Sequence, residues 1–108
     1  MIKNFALTSL AILLLIVFSN QIKATVLEAR MSFAMSRIEM SPDTADHLDA
    51  SVERAADGYR RRVYSELESG SVQELLREVR MYQGRELSDT KAKSILGRLD
   101  AILNRHQL

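Results

Sequence analysis

The sequence predicts an all-α protein: an N-terminal signal or hydrophobic helix, then a small antiparallel three-helix bundle with an extra helix ahead of it. Three observations carry this. Beyond residue 40 the apolar residues recur every three or four positions, the spacing of one helix face. Serines suited to cap helix starts stand at Ser41, Ser71 and Ser88. The single proline is Pro42 and the four glycines are scattered, so nothing interrupts the chain ahead of Pro42.

The first element is the run Phe5 to Phe18, uncharged, preceded by Lys3 and followed by the polar stretch Ser19 to Lys23 and Ala24. This is the layout of a secretory signal, and the run is shorter than the roughly 20 residues a helix needs to cross a hydrocarbon core. Cleavage is expected after Ala24, with Ser19 as the other candidate. Residues 1–24 are therefore expected to be a signal peptide. The alternative is an uncleaved membrane anchor over residues 2–22, which a thin bilayer would accept. Either version is expected to carry the rest of the chain out of the cytoplasm.

Next comes a connecting helix over 25–40. Leu27, Met31, Ala34, Met35 and Ile38 share one stripe, with Val26, Phe33 and Met40 nearly opposite, so two packing partners are expected. The bundle domain is expected over 41–108, its helices ending near 106. Its first helix opens at Ser41 as N-cap with Pro42 in the first turn. Ala45, Leu48, Val52, Ala55, Ala56, Tyr59, Val63 and Leu67 extend one face to about Ser69, with Gly58 on the outer side. A second helix is read from a capping box, Ser71 with Glu74, to Gly84. Val72, Leu75, Leu76, Val79, Tyr82 and Gln83 line its inner side. The last starts at Ser88 and packs through Ala92, Ile95, Leu96, Leu99, Ile102 and Leu103.

Composition narrows the function. Of 15 basic residues, Lys3 and Lys23 lie in the leader, leaving 13 against 14 acidic ones, a formal −1. That interleaved balance argues against nucleic acid, which calls for a gathered basic excess. The chain has no cysteine, which excludes disulfides, thiolate metal sites and a Cys nucleophile. An exported domain without disulfides points to a bacterial periplasmic or secreted protein. Removing residues 1–24 from 108 leaves 84, close to the size at which a single core yields only a few kcal/mol, so a protein partner or homo-oligomer is expected.

No constellation calls for catalysis. There is no G-x-S-x-G elbow and no phosphate-cradling glycine loop. His47 lies four residues after Asp43 on the solvent side and reads as surface electrostatics. His106 lies near a helix C-terminus, where the dipole favours a cation. Met31, Met35 and Met40 with His47 suggest a periplasmic metal sensor as a weak third reading, but the spacing is that of ordinary core contacts. No enzyme activity, cofactor or resident metal is expected. The basic run Tyr59 to Tyr64 offers Arg60 and Arg62 at the edge of the apolar stripe and Arg61 outward, with Asp57 or Glu66 as ion partners. Phe33, Arg61, Tyr64 and Met81 are the expected partner contacts, since Arg and aromatic residues are enriched in protein interfaces. The function expected is a small exported binding protein, an adaptor, inhibitor or chaperone-like factor. The alternative is an anchored regulatory or assembly subunit of a membrane complex.

Overall fold

The computed structural model describes residues 2–108, and of these the side chains of all but Ile2, Lys3 and Phe5. Lys3, expected as the charge ahead of the apolar run, is outside the described side chains. Four helices follow one another: α1 (Ile2–Met35), α2 (Pro42–Arg61), α3 (Glu66–Arg80) and α4 (Asp89–Arg105). The chain is all-α, as its periodicity predicts.

α1 has two halves with different surroundings. From Ala6 to Lys23 all side chains but the half-buried Asn20 are exposed, Leu15 and Phe18 at 69% and 68%. From Ala24 onward the same helix packs: Ala24, Met31 and Ala34 have no exposed surface, and Ile38 follows in the next loop at 8%. The stretch expected as a connecting helix over 25–40 is helical only as far as Met35, and it forms a wall of the bundle, sharing one apolar cluster with Leu48 and Val52 of α2, Leu76 of α3 and Leu99 of α4. The protruding first half accounts for the long axis of the Cα trace, which measures 60 × 27 × 19 Å.

Going around the bundle the helices come in the order α1, α2, α4, α3, with α1 packed most closely on α2 and most loosely on α3. Consecutive helices alternate in direction. α2 and α4 consequently run parallel: Ser41 and Thr44 at the start of α2 both donate to Asp89 at the start of α4, each at 2.8 Å, while near the other end Arg54 reaches Asn104 at 2.7 Å. At the end away from the leader, the two loops zip together. Gly84 N–H donates to Arg37 C=O and Leu87 N–H to Glu39 C=O, both at 2.8 Å.

Helix starts follow the capping rules. Ser41 and Ser88 accept from the backbone N–H of Thr44 and Lys91, as their positions predict. The α2–α3 junction differs from the sequence expectation. α2 ends at Arg61, two turns before Ser69, and α3 begins at Glu66 behind a capping box made by Ser65 and Glu68 instead of Ser71 and Glu74. Leu67, expected on the core stripe, is 82% exposed. The helix stops because Arg62 turns left-handed, at φ 58 and ψ 40. Its N–H then bonds Tyr59 C=O and the Val63 N–H bonds Gly58 C=O, both at 3.2 Å, the doubled closure usual where glycine ends a helix.

A side chain at a left-handed position is strained where glycine is not. Arg62→Gly is expected to stabilise the fold by about 0.5–1 kcal/mol, read as a higher urea midpoint at unchanged slope. A lower midpoint would mean that the arginine head contributes more than its backbone costs.

Candidate functional site

The α2–α3 turn creates the most densely bonded corner of the molecule. Because the chain leaves α2 at Arg61, Tyr64 swings back over the helix instead of projecting outward as expected. Its phenol donates to Ala55 C=O at 3.0 Å. Its ring meets Tyr59 edge-on with centroids 5.0 Å apart, and His106 at 5.8 Å. The ring occupies the space a side chain at position 58 would need, so Gly58, expected on the outer face, is buried. Burial pushes the Tyr64 phenol well above its ordinary range, with Tyr59, Glu68 and Asp57 adding to the effect. The proton stays on this oxygen, where it serves a structural bond.

Glu68 ties the corner together. It accepts from Ser65 N–H at 3.0 Å, and His106 Nε2 lies 2.8 Å from its other oxygen. The Ser65 N–H, then His106, hold its carboxyl below the ordinary 4.5. Asp89 is likewise lowered from 3.8 by the hydroxyls of Ser41 and Thr44. A carboxyl depressed in the folded chain contributes stability above its unfolded value and loses it as pH falls through the folded one. The urea midpoint of the wild type is therefore expected to drop as pH falls from about 5 to about 3, and that of Glu68→Gln to drop less. Parallel curves would refute the assignment.

Each histidine is held by a carboxylate of another helix. His106 is held by Glu68 rather than standing as a free terminal cation. His47 reaches across to Asp100 of α4 at 2.8 Å instead of back to Asp43, and Asp100 also takes Ser51 at 3.0 Å. Met31 is closed inside the core, Met35 and Met40 are half-buried at its edge, and His47 is engaged by Asp100. Among the described residues no three His, Cys, Asp or Glu side chains converge on a point that could hold a metal ion.

Of the residues expected to contact a partner, Phe33 and Met81 are open, at 57% and 67% exposure. Arg61 is exposed but paired within its helix to Asp57 at 2.9 Å. Tyr64 is turned inward. Arg61 and Met81 lie at opposite ends of the bundle, beside the leader and beyond the last turn of α3, so the four do not form one patch. Arg60, expected to pair with Asp57 or Glu66, instead bonds Glu28 of α1 at 2.6 Å.

A different surface gathers where α1 and α3 pack most loosely. A groove of about 250 Å³ opens there, floored by Val26, Leu27 and Tyr59 and rimmed by Lys23, Arg30 and Arg80. None of these three cations has a carboxylate within ion-pair distance among the described residues, and no carboxylate lines the groove. The sequence signal was there: Val26, Arg30 and Phe33 recur every three or four residues on the side of α1 away from its core stripe, and Arg37 continues the spacing in the turn beyond it. No family model matches the chain, and no curated protein or solved structure matches it either.

Proposed function

We propose that this chain is an exported, non-enzymatic helical protein that acts by binding another protein through its helix faces. The observation that supports it is the position of the burial boundary on α1. An 18-residue window of this helix reaches a mean hydropathy of 1.9, and it is apolar and long enough to cross a membrane. Up to Lys23 its side chains contribute nothing to the core, while packing begins at Ala24. A continuous apolar surface of this size is far beyond the few hundred Å² a soluble monomer tolerates, so the segment is either removed or embedded. The boundary falls at the expected cleavage point, and the body beyond it retains Met31, Ala34 and Ile38 and hence its own core.

The alternative, a single-pass anchor, is favoured by one feature: α1 runs unbroken through the cleavage point, where Ala24 is fully enclosed. Two measurements decide. A C-terminal alkaline phosphatase fusion, active only outside the cytoplasm, is expected to be active. Intact mass of the chain from the cell envelope is expected to be short by residues 1–24. A full-length chain resisting alkaline extraction would select the anchor. An inactive fusion would overturn export, the outcome favoured if Lys23, Arg30 and Arg37, outnumbering Lys3 across the apolar run, hold the bundle inside.

A further inference from the structure

We infer that the outer side of α1, together with the groove it forms with α3, is the docking surface, and that its occupant is an acidic amphipathic helix of a partner protein. The inference rests on the binding role proposed above and names the partner's chemistry.

Shape is the first argument. Val26 and Phe33 are 41% and 57% exposed, and they lie on the face of α1 opposite Met31 and Ala34, which have no exposed surface at all. Over a solvent-facing helix such positions are ordinarily polar. With Arg37, just past the end of α1, they span 12 residues, roughly 16 Å, a length that suits a second helix laid alongside and exceeds a compact ligand. The groove beside them is open rather than enclosed, and its floor of Val26 and Leu27 continues the apolar strip toward α3.

Charge is the second argument, and it fixes the occupant. Arg30 and Arg80 stand on the two walls of the groove without carboxylate partners among the described residues, while Arg37 lies over the Phe33 ring at 4.6 Å. The acid on this part of α1, Glu28, points the other way and is engaged by Arg60 of α2. Several arginines elsewhere are paired, with Arg98 on Glu78 at 2.9 Å and Arg61 on Asp57 at 2.9 Å, while Arg62 and Arg85 stand singly among the described residues and away from any such apolar strip. An apolar strip flanked only by unpaired guanidinium groups complements leucines flanked by carboxylates, and arginine gives such pairs bidentate geometry. A second copy of this chain fits poorly, because the same basic strip would face itself in a two-fold contact.

The test uses the protein as purified from its producing cells and two fluorescein-labelled synthetic helices. Both carry leucines at three-and-four spacing; one has glutamates on the flanks and the other lysines at the same positions. By anisotropy at low salt the glutamate peptide is expected to bind at least about tenfold more tightly than the lysine peptide. The preference is expected to collapse toward unity in Arg30→Glu/Arg80→Glu, to fall by about threefold in the milder, solvent-facing Arg30→Gln, and to survive Lys93→Glu on α4. Circular dichroism checks each variant, and Arg30→Gln keeps the test readable if the double variant does not fold. Equal affinities, no binding of either peptide, or a preference indifferent to Arg30 would overturn the assignment. So would binding to phosphatidylglycerol vesicles that needs the same arginines while the acidic peptide is ignored, which assigns the face to a lipid surface. Self-association abolished by the double variant would assign it to a second copy and equally overturn it. An inactive phosphatase fusion removes export and leaves this result standing; loss of the peptide preference does the reverse.

Discussion

A chain beginning at Thr25 is expected to unfold in one cooperative urea transition, and a chain beginning at Ser41 is expected to show none. The difference between them is residues 25–40, which contain Met31 and Ala34 with no exposed surface and Ile38 at 8%. Met31 and Ile38 share one apolar cluster with Leu48, Val52 and Ala55 of α2. Each large apolar side chain withdrawn from water contributes about 1.5–3 kcal/mol, and losing Met31 and Ile38 also re-exposes the residues beneath them. A body of this size has only a few kcal/mol in hand, so the shorter fragment falls below zero. Far-UV circular dichroism against urea reads the outcome. A steep, two-state transition in the fragment from Ser41 would show that α2, α3 and α4 suffice without α1.

Gly58→Ala is expected to destabilise the protein by about 1–3 kcal/mol, the opposite of the gain of up to about 1 kcal/mol that alanine usually brings to a helix interior. A Cβ at this position would overlap the phenol end of Tyr64. That ring is not free to step aside, being held by its bond to Ala55 C=O and by edge contacts to Tyr59 and His106. Moving it gives up a half-buried hydrogen bond worth about 0.5–1.5 kcal/mol and two aromatic contacts. The cycle with Tyr64→Ala isolates the cause: in that background Gly58→Ala is expected to turn stabilising. The same sign in both backgrounds would place the strain elsewhere.

Much of the fold is legible because local signals and packing agree. Ser41 with Pro42, and Ser88 ahead of its apolar stripe, mark starts that the structure keeps, and the α3 and α4 core positions follow from spacing alone, except that Gln83, expected on the inner side, is exposed beyond the end of α3. The α2–α3 junction is illegible for a physical reason. The left-handed residue that ends α2 is Arg62, whereas the glycine that advertises a helix end, Gly70, lies exposed inside α3. Two serine boxes compete, Ser65 with Glu68 and Ser71 with Glu74, and the first wins because Tyr64 has a buried seat over Gly58. Neither that seat nor the pairing of Glu68 with His106, 38 residues away, is written in any local pattern. Of the surface, Phe33 could be read from its face on α1, while Arg80 joins it only through the packing of α3.

The enclosed Ala24 also bears on what a mature terminus would be. Severing the chain there makes Thr25 the leading residue, with Glu28 three positions on, the same order that Ser65 and Glu68 use to begin α3. The newborn ammonium would stand one turn above the Glu28 carboxylate and contend with Arg60 for it. Maturation would then do more than shed a greasy tail: it would loosen the strut between the first two helices on one flank and, on the other, take Lys23 from the rim of the basic groove while leaving Arg30 and Arg80 in place.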